Sequence, residues 1–122
     1  LKILLLDIAW LAGLLEGEGS FHISTKRGKP SSLLVVVQMT DGDIIERVAQ
    51  LFNRPMHGPY KRRNPSYKPF YSTSISASSA ASWMMTLYPF LGQRRREKIK
   101  ELLHFWRAQA AGRGGRPRAS YC

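Results

Sequence analysis

The segment "LAGLLEGEGSF", Leu11 to Phe21, decides the reading of the whole chain. Apolar helix-forming residues run straight into two glutamates, Glu16 and Glu18, each followed by a glycine, and Phe21 then opens an alternating run. Asp7 upstream is a candidate N-cap, which predicts a helix to about Gly17. Ala9, Gly13 and Gly17 recur every fourth residue and lie in one stripe with almost no side chain. Such a stripe lets another helix, of this chain or of a second copy, approach backbone to backbone. A carboxylate at a helix C-terminus is poorly placed for the helix itself, because the dipole there is already negative. Carboxylates beside free carbonyls do suit Mg²⁺, a hard cation that takes oxygen ligands. A solvated helix end capped by glycine would carry the same residues.

Working outward, "SFHISTK" (20–26) alternates, with Phe21, Ile23 and Thr25 on one side and His22, Ser24 and Lys26 on the other, which predicts a strand. "RGKPSS" reads as a turn and "LLVVVQMT" (33–40) as a more buried strand. Thr40 and Asp43 resemble a capping box for a helix over "DGDIIERVAQLFN". A basic hairpin follows, with strand-like runs near 59–63 and 67–76. Ser78 or Ser79 then caps an apolar helix ending near Pro89, and "QRRREKIKELLHFWRAQ" is a last amphipathic helix. The order is an α+β domain with a core of pattern αββαββα, an antiparallel sheet, helices on one face and an added C-terminal helix. The domain is expected over 1–109, with a basic, loose tail over 110–122.

The chain has 122 residues, enough for one compact domain, and 43% hydrophobic content predicts a packed core. The formal net charge is +11, and no Asp or Glu occurs between Arg47 and Arg96. Charge of that sign over so long a span suits a polyanionic partner. The free face of the sheet is expected to carry His22, Ser24, Lys26, Gln38, Lys61, Arg63, Lys68 and Ser72, a platform for duplex DNA, whose major groove admits a β-ribbon. The apolar opening "LKILLLDIAWLAGLL" is interrupted by Asp7 and is too short to span a bilayer, so no membrane partner is expected. One cysteine, Cys122, rules out a disulfide framework within the chain. A reducing, intracellular compartment fits, either a prokaryotic cytoplasm or an organelle.

"LAGLLEGEG" (Leu11–Gly19) resembles, position by position, the LAGLIDADG motif that names a family of homing endonucleases, and "EGEGSF" is similar to a common variant of its acidic end. "VVVQMTDGDIIERVAQLF" and "LYPFLGQRRREKIKELL" also resemble passages of that family. The resemblance implies a saddle-shaped sheet and gives roles to particular residues. Glu18 would be the catalytic metal ligand, helped by the Gly17 carbonyl, and Glu16 would be structural. By offset from "PFL", Arg94 and then Arg95 are the candidates for assisting at the scissile phosphate. Asp41 falls near the position that organises water, with Gln38 as a DNA-facing neighbour.

The motif occurs once, so the resemblance implies a homodimer meeting along Ala9, Gly13 and Gly17. It would cut both strands of a long, near-palindromic duplex in a Mg²⁺-dependent way. Mn²⁺ is expected to substitute, and Ca²⁺ to permit binding without cleavage. Two other readings stay open. One is a non-cleaving relative that binds nucleic acid, such as an RNA maturase assisting intron splicing. The other is a basic adaptor domain that uses the motif only to dimerise.

Overall fold

The computed structural model describes residues 2–112, with side chains to residue 109. The elements run α1 (Leu5–Glu18), β1 (Gly19–Lys26), β2 (Lys29–Met39), α2 (Gly42–Phe52), β3 (His57–Tyr60), β4 (Phe70–Ser76), α3 (Ala77–Leu87), a short 3-10 turn (Tyr88–Phe90) and α4 (Gln93–Gly112). This is the expected αββαββα order with one more helix. The strands form one antiparallel sheet in the order β1-β2-β4-β3. Cys122 and most of the tail expected from residue 110 lie outside the described residues; α4 itself continues to Gly112.

Period-two patterning separates the two faces of the sheet. Phe21, Leu33, Val35, Val37, Thr73 and Ile75 are buried on one face. Against it pack Leu11, Ala12 and Leu15 of α1, Ile45, Val48 and Phe52 of α2, Ala80, Met84 and Leu87 of α3, and Ile99 and Leu102 of α4. Thr73, buried in this apolar layer, spends its hydroxyl on the Pro55 carbonyl at 3.1 Å. A buried hydroxyl without such an acceptor would destabilise the core.

The junction of α1 and β1 has no loop. Gly19 ends the helix, its N–H donating to the Leu15 carbonyl, and at once pairs with Val37 of β2. A Cβ at Gly19 would lie 2.8 Å from the Leu15 carbonyl oxygen, so only glycine lets the chain turn this closely.

Several boundaries differ from expectation for local reasons. The expected N-cap Asp7 is instead the third residue of α1; its carboxylate reaches back to the Leu4 N–H at 2.9 Å. Its other oxygen lies 3.6 Å from Arg47. No side-chain bond forms the box expected from Thr40 and Asp43; Asp41 occupies the N-cap, and its carbonyl accepts from Ile44 and Ile45. "RGKPSS" is mostly strand, because Arg27 and Gly28 alone make the turn, both with positive φ (55° and 76°). That geometry matches the twist of a two-residue hairpin. Pro30 is accommodated beside an irregularity in the register at Ser24–Thr25. α3 starts directly after β4, ahead of Ser78 and Ser79.

The basic hairpin needs the largest correction. β3 covers His57–Tyr60 and not 59–63, and β4 begins at Phe70. Gly58, where a Cβ would stand 2.8 Å from the Phe70 carbonyl, lies inside the strand rather than at its turn. Lys61, Arg63 and Lys68 therefore sit in an exposed connection between the strands. Asn64 ends any extended run there, its side-chain oxygen accepting from both the N–H (3.0 Å) and the hydroxyl (2.7 Å) of Ser66.

Candidate nucleic-acid interface and acidic site

The face of the sheet turned away from the helices can be read row by row from the pairing. Gly19 pairs with Val37, so Glu18 stands one position further, at the level of Gln38. Gln38 pairs with Ser72, and Ser72 with His57. The next row is Ser20, Val36 and Ser74, and the next is His22, Leu34 and Ser76. Ser24 and Ser32 follow, and the Lys26–Lys29 pair closes the hairpin.

The expected residues divide between the strands and the ends. His22, Ser24, Gln38 and Ser72 lie on the free face as expected. The centre of that face is neutral, lined by serines around half-buried Leu34 and Val36, and is not basic as the sequence suggested. The cations gather at two ends instead. Lys26, Arg27 and Lys29 flank the β1–β2 turn, far from Glu18 along the strands. Lys61, Arg62, Arg63 and Lys68 occupy the β3–β4 connection at the opposite end of the sheet. Arg62 lies over the Phe70 ring, 5.0 Å from its centroid, and Phe70 packs on Tyr60 at 5.3 Å.

Ser20 and His22 are coupled, with Oγ to Nδ1 at 3.0 Å. Which of the two donates follows the tautomer of the ring. The Ser24 hydroxyl donates to the Ser32 carbonyl at 3.2 Å. Sequence reasoning overlooked Ser20, His57, Leu34, Val36, Ser74 and Ser76. Strand parity counted back from Gln38 would have found Val36 and Leu34.

The acidic end is asymmetric. Glu16 is turned toward the start of α4: its carboxylate accepts from the Gly92 N–H and lies 3.7 Å from Arg95 Nε. Arg95 also donates to the Glu16 carbonyl at 3.1 Å, and its guanidinium stands 5.7 Å from the centroid of Phe21. This strap ties the end of α1 to the start of α4, 79 residues later. Glu18 and Arg94 are both exposed. Arg94 follows the pinned Gly92 by two residues, which keeps their α-carbons within about 8 Å.

Of the helix's last carbonyls, Leu15 accepts from Gly19 and Glu16 from Arg95. Gly17 and Glu18 come next, and the last carbonyls of a helix have no partner within it. Among the described residues no three His, Cys, Asp or Glu side chains come together. Asp41, exposed at the N-cap of α2, is three residues past Gln38.

The outer side of α1 is bare. Ala9, Gly13 and Gly17 are exposed, and a Cβ added at Gly13 or Gly17 would meet nothing within 4 Å. Leu5 and Leu6 continue this surface, 68% and 79% exposed. No helix among the described residues is long and apolar enough to cross a membrane.

No family model matches the chain, and no curated protein does. Solved structures do match. One is the homing endonuclease I-CvuI in complex with an I-CreI target in the presence of Mg, with the DNA not cleaved. It is 21% identical with a TM-score of 0.60, over 84% of this chain and 66% of that one. The group I intron-encoded homing endonuclease I-CeuI, complexed with DNA, is 16% identical with a TM-score of 0.60, over 93% and 61%. The archaeal intron-encoded homing endonuclease I-Vdi141I, also complexed with DNA, is 14% identical with a TM-score of 0.57, over 75% and 62%. The chain thus spans somewhat under two thirds of the length of these three. At such identities the likeness is one of architecture, and the architecture of this chain is that of the LAGLIDADG homing endonucleases.

Proposed function

We propose that the protein is a site-specific DNA endonuclease that works as a homodimer, hydrolysing both strands of a long, near-palindromic duplex with Mg²⁺. The observation that carries this reading is the placement of Glu18. It is an exposed carboxylate at the end of a helix whose outer stripe is bare, in line with the first row of a free sheet face. Two such helices packed in parallel along Ala9, Gly13 and Gly17 would bring two Glu18 side chains side by side.

The donor set fits Mg²⁺. One chain offers the Glu18 carboxylate and the Gly17 carbonyl, both hard oxygens, and a second copy would offer the same again. Mg²⁺ held there would supply Lewis-acid stabilisation of charge at the phosphate and a route to activated water. Arg94, exposed near the pinned Gly92, would neutralise charge on the scissile phosphate. Arg95, committed to Glu16, would hold α1 and α4 in register. Asp41 and Gln38, at the same end of β2, would order solvent and the nearby DNA.

The sheet would lie in the major groove with its basic ends on the backbone. From the Glu18 row to Lys26 is eight residue steps (18 to 26), about 26 Å of strand. That is the length of roughly eight base pairs. Lys26, Arg27 and Lys29 would hold the outer backbone, and Lys61, Arg63 and Lys68 the backbone nearer the cut.

The test is to select duplexes from a randomised library in Ca²⁺ and incubate them with Mg²⁺ or Mn²⁺. A near-palindromic consensus and double-strand cleavage leaving short 3′ overhangs are the expected result. Selective binding with no cleavage in either metal would instead favour a non-cleaving relative such as a maturase. No selective duplex binding would rule out the endonuclease and leave an RNA-binding relative or the adaptor, which binding to structured RNA would separate.

A further inference from the structure

Leu34 and Val36 stand in the middle of the free face, away from the hydrophobic core on the other side of the sheet. Leu34 lies between His22 and Ser76, and Val36 between Ser20 and Ser74. Both are half-buried among short polar neighbours. An apolar pair is out of place on a purely hydrogen-bonding surface, and the nearest cations are at the two ends of the sheet. The major-groove edge of DNA offers one apolar feature in its usual bases, the C5 methyl of thymine.

We infer that Leu34 and Val36 read thymine methyl groups, so that each half-site carries A·T pairs at two positions near its middle. This rests on the DNA-binding reading above and adds a specificity to it. The two residues are two apart on one strand, about 6.6 Å. That is about two base-pair steps, so the two thymines stand two pairs apart. Val36 is one row from the Glu18 level and Leu34 two rows, so the Val36 position is the nearer to the cut. The flanking serines and His22 can donate or accept, and they tolerate either orientation of neighbouring pairs.

The experiment takes the duplex selected with the full chain in Ca²⁺ and replaces each thymine in turn by deoxyuridine, which lacks only the methyl. Binding is read by titration in the same buffer. Two positions per half-site, two pairs apart, should weaken by about fourfold each, the effect of exposing one buried methyl. A cytosine placed there should bind better when methylated at C5, because the same methyl then occupies the same place. Val36→Thr, which keeps the β-branched shape, should lose the thymine-over-deoxyuridine preference at the inner position alone. Leu34→Ser should lose it at the outer one. Selective binding that ignores deoxyuridine at every position would overturn this inference and leave the endonuclease reading standing. Failure to bind duplex at all would remove both.

Discussion

Arg95 and Glu16 form a two-point strap: the guanidinium donates to the Glu16 carbonyl at 3.1 Å and lies 3.7 Å from the same residue's carboxylate. The Arg95 side chain is 17% exposed and that of Glu16 40%. The bond to the carbonyl matters more than the ion pair, because half-exposed ion pairs contribute little. Arg95→Ala would leave that carbonyl uncapped and strip the packing over Phe21. It should lower stability by about 1–3 kcal/mol. Arg94→Ala should leave denaturant midpoints unchanged and slow cleavage. A pair of urea titrations beside a nicking assay separates the two arginines; equal stability losses in both variants would contradict the assignment.

The bare stripe on α1 should govern assembly independently of folding. Leucine at Gly13 has open space within the protomer, and replacing a mid-helix glycine should add about 0.5–1 kcal/mol to helix stability. Across a symmetric seam the same side chain is inserted twice. Gly13→Leu should therefore be a well-folded monomer where the parent is a dimer, read by sedimentation and by thermal unfolding. A dimeric Gly13→Leu would mean that the stripe is not the seam.

The two basic ends should contribute additively to salt-dependent binding. Removing one phosphate-binding cation should reduce the salt slope by about 0.9, and each substitution in a dimer counts twice. Lys26→Ala with Lys29→Ala, and Lys61→Ala with Arg63→Ala, should each flatten the plot of log affinity against log salt. All four together should give the sum, since the groups are at opposite ends of the sheet. A slope unchanged by either pair would take that end off the DNA.

The architecture was legible because local signals agreed with one another. The helix-to-strand switch at Glu18–Gly19, the alternation from Ser20 and the apolar run from Leu33 each point to one answer. The free face was legible only in part. His22, Ser24, Gln38 and Ser72 follow from strand parity, but Lys61, Arg63 and Lys68 do not, because Asn64 and Pro65 turn the chain and the strand stops at Tyr60. Composition, too, suggested a basic face, whereas the charge is in the connections and at the strand ends beside them, and the middle of the face carries serine, leucine and valine. The different fates of Arg94 and Arg95 were invisible in sequence. They depend on how α4 is rotated against α1, which long-range packing decides.

Metal identity should also divide binding from chemistry. Ca²⁺ accepts oxygen ligands in looser geometry than Mg²⁺. Duplex affinity in Ca²⁺ should match that in Mg²⁺ while product formation stops, and adding Mg²⁺ to the stalled complex should release cleaved product. Full-speed cleavage in a chelator would rule out metal dependence.

The most direct test of the account is Glu18→Gln, assayed on one selected duplex by gel shift and by nicking in Mg²⁺. The substitution keeps the shape and removes the charge of an exposed side chain that is part of neither the Glu16–Arg95 strap nor the core. Affinity should be retained or rise, since repulsion between the carboxylate and the phosphates is relieved. Cleavage should fall by about two orders of magnitude or more, as a loss of several kcal/mol of transition-state stabilisation requires. Cutting by Glu18→Gln at the parent's rate, with binding intact, would contradict the account and leave the motif as a dimer seam alone.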